Sequence, residues 1–162
     1  MMEIKQFTVN FFGENCYLLY DETKEAVLID CGCMNRQEFS QVEGCITQQQ
    51  LVIKHLLCTH YHVDLNEGDV ISFGHTKLTV IAVPGHSPGS VAFYEKERGC
   101  VFVGDALFAG SIGRTDLWGG NAQQLVDSIH KALFTLPDST VVYPGHGPMT
   151  TIAYEKSNNP YL

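Results

Sequence analysis

Four apolar, strand-like runs in this sequence each end in a tight turn that presents a histidine or an aspartate. Functional sites are commonly built where strands end on a rigid scaffold. A fourfold repetition of one arrangement argues against coincidence, and it predicts a site assembled from strand exits. The four exits are Thr59-His60, Pro84-Gly85-His86, Gly104-Asp105 and Pro144-Gly145-His146.

The first exit continues with ligand-type residues at alternating positions, namely His60, His62 and Asp64. In an extended segment, side chains two residues apart point the same way, so these three can converge on one point. Imidazole and carboxylate groups are ligands that zinc, iron or manganese accept. The competing interpretation is three polar residues leaving a buried strand for solvent. The remaining histidines, His55, His75 and His130, follow no strand end and are predicted to be structural.

The chain as a whole is predicted to fold as a layered α/β domain. Turn residues divide residues 4–30 into a β-meander, and further short strands follow along the chain. Helical periodicity appears at residues 35–50 and, with Asn121 as a cap, at residues 121–134. Strands outnumber helices and the helices alternate with strand blocks, as in layered α/β proteins. A length of 162 residues suits one domain, predicted to cover residues 1–162.

Charge and hydropathy narrow the function classes. The formal net charge of −8 argues against a nucleic-acid partner, which would need a basic face. No apolar run has membrane-spanning length, and the N-terminus lacks the pattern of a signal peptide, so we predict a cytoplasmic protein without a membrane partner. The six cysteines are predicted to be reduced, with Cys58 and Cys100 buried in strands. We interpret Cys31-Gly32-Cys33 as structural, because C-x-C alone is a weak redox or metal pattern.

Taken together, the motifs resemble those of the metallo-β-lactamase superfamily and, more narrowly, of small bacterial glyoxalase II-like hydrolases (hydroxyacylglutathione hydrolase-like). The resemblance implies an α/β fold of the metallo-β-lactamase type, an αββα four-layer sandwich, here shortened. It also implies hydrolysis of a small-molecule thioester. The motifs that carry it are Thr59-His60-x-His62-x-Asp64, Pro84-Gly85-His86-Ser87-Pro88-Gly89, Gly104-Asp105, Gly113-Arg114-Thr115-Asp116 and Pro144-Gly145-His146-Gly147.

The same resemblance implies a role for each matching residue. His60, His62 and His86 would hold one zinc ion, Asp64 and His146 would contribute to a second, and Asp105 would bridge the two. A metal-bound hydroxide, oriented by Asp64, would attack the carbonyl carbon. Two further residues complete the implied site: Asp30 would support a ligand histidine, and Arg114 would bind an anionic group of the substrate. Pairing with Asp116 is the competing interpretation for Arg114.

The sequence departs from the family pattern directly after Asp64. The family has a histidine at the next position, whereas this chain has Leu65, so the second zinc site loses a ligand. Only residues 63–85 separate His62 from His86, where the family has a much longer connection. The chain therefore reads as though a block were missing between Asp64 and Leu65. The chain could be a naturally or deliberately shortened protein, the written sequence could omit a segment, or the site could have drifted to one metal or none.

Two alternative functions remain open at this point. A persulfide dioxygenase would need one iron, held by His60, His86 and Asp105, a set of two histidines and one carboxylate. A shortened scaffold that binds metal without catalysis is the second alternative. The longer connection of the family contains a helix. If that helix is missing here, apolar surface would be left uncovered, so a homo-oligomer is a further hypothesis.

Overall fold

The computed structural model describes residues 1–60 and 65–162. Two of the predicted site residues, His62 and Asp64, lie outside the described residues. The chain forms two compact units, of which the first comprises residues 1–58 and 72–77. The second comprises residues 59–71 and 78–162.

The first unit is built on a four-stranded sheet in the order β1-β2-β3-β4. Its strands are β1 (Glu3–Val9), β2 (Glu14–Tyr20), β3 (Glu25–Ile29) and β4 (Val52–Leu57). The first three form the predicted antiparallel meander. β4 is parallel to β3, which requires a crossover, and helix α1 (Arg36–Gln49) supplies it. One cluster of buried residues in this unit comprises Val9, Cys16, Leu18, Tyr20, Ala26, Leu28, Val42 and Leu51.

β4 is the edge strand of this sheet among the described residues, and two of its apolar residues are largely exposed. Val52 is 59% exposed and Leu56 is 67% exposed. The prediction that Cys58 is buried is wrong, because Cys58 follows the last paired residue of this edge strand and is exposed. Cys100, in a central strand of the other sheet, is buried as predicted.

A six-stranded sheet in the order β12-β11-β8-β7-β6-β5 belongs to the second unit, except for residues 72–77 around the β5–β6 turn. β6 and β8 each pair antiparallel with β7, and β11 is parallel to β8, so that β6, β8 and β11 run in the same direction. A separate hairpin of two-residue strands, β9 (Leu107–Phe108) and β10 (Ser111–Ile112), follows β8. The sheet strands are β5 (Val70–Phe73), β6 (Thr76–Ala82), β7 (Val91–Glu95), β8 (Cys100–Gly104), β11 (Val141–Pro144) and β12 (Thr150–Thr151).

Helices α2 (Ala122–Lys131) and α3 (Ile152–Asn158) complete the second unit. As predicted, Asn121 caps α2, with its side-chain oxygen accepting from the Gln124 backbone N–H at 2.9 Å. α2 ends three residues early, and a 3₁₀ turn follows it at Leu133–Thr135. No helix in the described ranges has the length and apolar character needed to cross a membrane. One cluster of buried residues in this unit comprises Val83, Ala92, Val101, Val103, Ala106, Leu107, Leu125, Ile129, Leu133, Val142 and Ile152.

Candidate metal centre

Three of the predicted ligands follow the carboxyl ends of the three strands that run in the same direction. His86 comes after β6, Asp105 directly after β8, and His146 after β11. The ends of β8 and β11 are tied together, because Pro144 pairs with Gly104 and the Gly145 N–H donates to the Gly104 carbonyl at 2.8 Å. Strand direction thus brings the three side chains to one edge of the sheet.

His60 joins this edge through the residue before it. The Thr59 carbonyl accepts from the Val91 N–H at 2.8 Å, which fixes the segment to the start of β7. Thr59 is buried. It packs against Gly104, where a Cβ atom would overlap the threonine side chain. The Thr59 hydroxyl also lies 2.7 Å from Nδ1 of His60, which orients the ring.

Three imidazole rings surround the Asp105 carboxylate. The Nε2 atoms of His60 and His86 lie 3.4 Å and 3.7 Å from Oδ2, and Nε2 of His146 lies 3.5 Å from Oδ1. One ligand atom from each of His60, His86 and Asp105 lies within 4.8 Å of the other two. The two oxygens of Asp105 therefore face different histidines.

The hydrogen bonding of His86 fits a cation at this point. Nδ1 of His86 lies 2.8 Å from the Arg114 carbonyl, which can only accept, so Nδ1 carries the proton. In the neutral ring, Nε2 then presents a lone pair to the Asp105 carboxylate, and two acceptors face each other. Protonating all three rings would relieve this conflict only by crowding three like charges together. A metal ion satisfies the lone pairs and the carboxylate at once.

Asp105 itself gives a second indication. Its Oδ1 atom is buried and receives no hydrogen bond from the part of the chain that the structure describes. Burial acts to raise the pKa of this carboxyl group. The hydrogen bond from His60 and the charges of the facing histidines outweigh that effect, so the pKa is lowered. A buried, ionised carboxylate with an unsatisfied oxygen is the donor expected of a metal ligand. The described residues thus fit the implied metal.

Arg114 and Asp30 occupy different settings. The Arg114 guanidinium makes a bidentate pair with the Asp116 carboxylate, with Nε and Nη2 each 2.7 Å from an oxygen. Asp30 belongs to the first unit, has φ +51, and donates its N–H to the Leu57 carbonyl at 2.9 Å. Its predicted support of a ligand histidine stays a prediction.

Residues 107–112 form a structural support of the site that the sequence did not reveal. The Phe108 ring meets the His146 ring edge-on, with centroids 6.0 Å apart. The hairpin that carries Phe108 is held by Glu155, which accepts from the Gly110 N–H at 3.0 Å, and by Asn159, whose side chain donates to the Ser111 carbonyl at 3.0 Å. No periodicity or motif connects these residues, since they meet only in the folded chain.

Comparison with known proteins places this geometry in a family. The family model described as "Metallo-beta-lactamase superfamily" matches residues 9–64 and 63–146. The two matched segments meet at residues 63–64, beside the point where the sequence departs from the family pattern.

Two curated relatives illustrate the similarity. The "Probable metallo-hydrolase YqgX" of Bacillus subtilis is 50% identical over 99 residues, 60% of this chain, and this match spans about half (47%) of that relative. The "Hydroxyacylglutathione hydrolase GloC" of Haemophilus influenzae is 29% identical, with 99% of this chain and 98% of that protein covered. That alignment has 212 positions against 162 residues here, so at least 50 positions have no counterpart in this chain.

Solved structures agree on the fold. The BLEG-1 B3 metallo-beta-lactamase superposes with a TM-score of 0.89 at 30% identity, covering 99% of both chains. ETHE1 from Myxococcus xanthus gives 0.87 at 32% identity, covering 98% of this chain and 83% of that one. TTHA1623, solved in a di-iron-bound form, gives 0.83 at 31% identity, covering 98% of this chain and all (100%) of the other. The predicted α/β fold of the metallo-β-lactamase type is confirmed.

Proposed function

Because this chain belongs to the metallo-β-lactamase superfamily, we propose that it is a metal-dependent hydrolase that cleaves thioesters of the hydroxyacylglutathione kind. The observation that carries the proposal is the convergence of His60, His86 and His146 on the Asp105 carboxylate. The similarity to a hydroxyacylglutathione hydrolase over nearly the whole of both chains supports the substrate class.

The chain's own residues would hold and orient the reacting groups. His60, His86 and Asp105 would bind one metal, and His146, on the other oxygen of Asp105, would contribute to a second. On the family pattern we also propose His62 and Asp64 as ligands, with Asp64 orienting the attacking water. A bound zinc or iron ion supplies a water of low pKa and polarises the substrate carbonyl. The Arg114 carbonyl keeps the His86 ring in one tautomer, which leaves Nε2 free to coordinate.

The substrate would bind beside His146. A cleft of about 380 Å³ is lined by Ala109, Gly110, Met149, Thr150, Thr151 and Tyr154. Ala109 directly follows Phe108, whose ring contacts His146. Its mixed lining of methyl groups, a thioether and one aromatic ring suits the acyl or thiol part of a small thioester. Arg114 is proposed for an anionic group of the substrate, although it must first leave Asp116. We propose a cytoplasmic setting, where such small thiol conjugates occur.

Hydrolysis of S-lactoylglutathione by the purified chain tests the proposal. We expect activity after loading with zinc or iron, loss of activity with a chelator, and recovery when the metal is restored. Asp105→Asn should abolish both activity and metal binding. Asp127→Asn, on the exposed face of α2, is the matched control and should change neither. A fully metallated chain that leaves the thioester intact would contradict the proposal and favour a scaffold without catalysis.

A second candidate function is persulfide dioxygenation. Two histidines and one carboxylate within 4.8 Å form the ligand set of mononuclear iron oxygenases, and ETHE1 from Myxococcus xanthus is among the similar structures. Oxygen uptake with glutathione persulfide, measured on the iron-loaded chain, separates the two functions. Iron near one per chain together with oxygen consumption would support the dioxygenase, whereas two metals per chain and thioester cleavage would support the hydrolase.

A further inference from the structure

We propose that Cys31 and Cys33 form a redox-active dithiol, which closes to an intramolecular disulfide on reaction with a low-molecular-weight disulfide such as glutathione disulfide. Both residues lie between β3 and α1, in the first unit, and their Sγ atoms are 3.9 Å apart. The C-x-C pattern alone favoured a structural interpretation. The short distance between the sulfur atoms and their access to solvent change that interpretation.

The backbone on both sides of Cys31 is fixed. Asp30 donates its N–H to the Leu57 carbonyl, and the Gly32 N–H donates to the Asp30 carbonyl, each at 2.9 Å. At Gly32, a Cβ atom would overlap the Glu14 carboxylate, so the chain lies against Glu14 at the residue between the two cysteines. Closure to a disulfide needs the sulfur atoms to approach to about 2.0 Å.

The two thiols differ in exposure, and this difference assigns their roles. Cys31 is exposed and can meet a solute disulfide, whereas Cys33 is half-buried. Burial and the adjacent Cys31 raise the pKa of Cys33 to about 11, so its thiolate is scarce near neutral pH. Cys31 is therefore the attacking residue, and Cys33 is the residue that resolves the mixed disulfide. Cys16 lies fully buried nearby, where burial raises the pKa of its thiol.

The exchange balances in two steps. The Cys31 thiolate attacks one sulfur of glutathione disulfide, forms a mixed disulfide and releases one glutathione thiolate, which takes the proton that left Cys31. The Cys33 thiol then loses its proton as its sulfur attacks the Cys31 sulfur, the bond to the second glutathione breaks, and the departing glutathione thiolate takes up that proton. Two protein thiols lose two electrons and two protons, and glutathione disulfide gains both and leaves as two thiols.

The sequence provides a clean readout. Cleavage by trypsin after Lys24 and Arg36 gives a peptide of residues 25–36, whose only cysteines are Cys31 and Cys33. The full chain is incubated with glutathione disulfide, quenched in acid, denatured and alkylated with iodoacetamide. We expect this peptide to be two hydrogens lighter than its reduced form and to carry neither alkyl group nor glutathione. Cys16 and Cys100, both buried, should remain alkylatable and thus report that the chain stayed folded.

Single substitutions test the assigned order. Cys33→Ser should stop the exchange at the mixed disulfide, with glutathione retained on Cys31. Cys31→Ser should slow the reaction of this peptide on the order of 10-fold or more, because only the half-buried thiol of high pKa remains. Cys45→Ser, which removes a thiol from α1, is the control and should leave the result unchanged. Thermal unfolding of each variant checks that the fold persists.

Three outcomes would overturn the proposal. One is a glutathione adduct that persists on the natural chain, since Cys33 would then not resolve it. Another is a cross-link between peptide 25–36 and peptide 6–24, which would assign the bond to Cys16. The last is an unreacted peptide in the natural chain under conditions in which an exposed model thiol reacts fully.

Discussion

The tripeptide Pro-Gly-His occurs twice in this chain, and the structure uses it in two different ways. Residues 84–86 follow β6, and residues 144–146 follow β11. Each turn delivers an imidazole to Asp105, His86 to one oxygen and His146 to the other. The two turns therefore share a sequence and a target but differ in what surrounds them.

The first turn is built into the packing of α2. The Gly85 carbonyl accepts from the Asn121 N–H at 2.8 Å, and the Ser128 hydroxyl donates to the Pro84 carbonyl at 2.7 Å. Gly85 has φ +139, and a Cβ atom there would overlap the Leu125 backbone. The His86 side chain is only 10% exposed, and the Arg114 carbonyl holds its ring.

The second turn packs against the carboxylate. At Gly145, a Cβ atom would overlap Oδ1 of Asp105, so the absence of a side chain there makes room for the ligand oxygen. The His146 side chain is 33% exposed and lies beside Phe108. The contrast teaches that the same glycine of one tripeptide can make room for a helix at one position and for a ligand carboxylate at another. It also predicts that equivalent substitutions in the two turns have unequal effects.

Removing the two imidazoles should give the largest difference. His86→Ala deletes one member of the group formed by His60, His86 and Asp105, and we expect metal affinity to fall by more than about 100-fold. His146→Ala leaves that group intact and should cost only about 10-fold. Metal titration of both variants, with thermal unfolding as a check on folding, measures the difference. Equal losses would show that the two turns contribute alike to one site.

Substituting the two glycines should separate stability from metal binding. Gly85→Ala forces a side chain into the α2 backbone at a positive φ, and we expect a loss of about 3 kcal/mol in the free energy of unfolding. Gly145→Ala should cost only about 1 kcal/mol but weaken metal binding roughly 10- to 100-fold, because it displaces the Asp105 carboxylate. Denaturant unfolding and metal titration provide the two readouts. The contrast between the turns fails if Gly145→Ala proves the more destabilising variant.

The sequence predicted the parts of this site that depend on strand exits. Apolar runs mark the strands, and the residues that follow them identified His60, His86, Asp105 and His146. Direction of the strands then determines that these residues share an edge, and the sequence alone does not state that direction. The asymmetry of the two Pro-Gly-His turns was equally hidden, because it depends on whether a helix or a carboxylate packs against each glycine.

The contacts of Arg114 show a second reason why the sequence alone predicts only part of the site. The sequence specifies the side chain of each residue, so the predicted role of Arg114 was assigned to its guanidinium. The structure shows that its backbone carbonyl holds His86, a role that any residue could fill. Backbone hydrogen bonds and distant partners such as Glu155 leave no pattern in a single sequence, since neither residue type nor spacing records them.

Glu155 offers a way to disturb the second turn without touching the first. Its buried carboxylate accepts from the Gly110 N–H, the Thr150 hydroxyl and the Asn159 side chain. Glu155→Ala leaves these donors unsatisfied and should cost about 3 kcal/mol in unfolding free energy, whereas Glu155→Gln should cost about 1 kcal/mol. Through Phe108 the loss reaches only His146, so metal affinity should fall no further than in His146→Ala. A larger fall would mean that the hairpin also supports the first turn.

The smallest expected effect comes from the exposed pair beside the first turn. Asp116→Asn breaks the pair with Arg114, and metal content should not change, because His86 is held by the Arg114 backbone. If Arg114 binds an anionic group of the thioester, the freed guanidinium should lower KM by roughly twofold to fivefold, and Arg114→Gln should raise it. Lowering the pH is not an alternative way to break the pair between Arg114 and Asp116. The hydrogen bonds from Arg114 lower the pKa of Asp116 to about 2, so the carboxylate stays charged above that pH and the pair is lost only as the pH falls through that value. If both variants have the same KM as the natural chain, Arg114 acts through its backbone carbonyl alone.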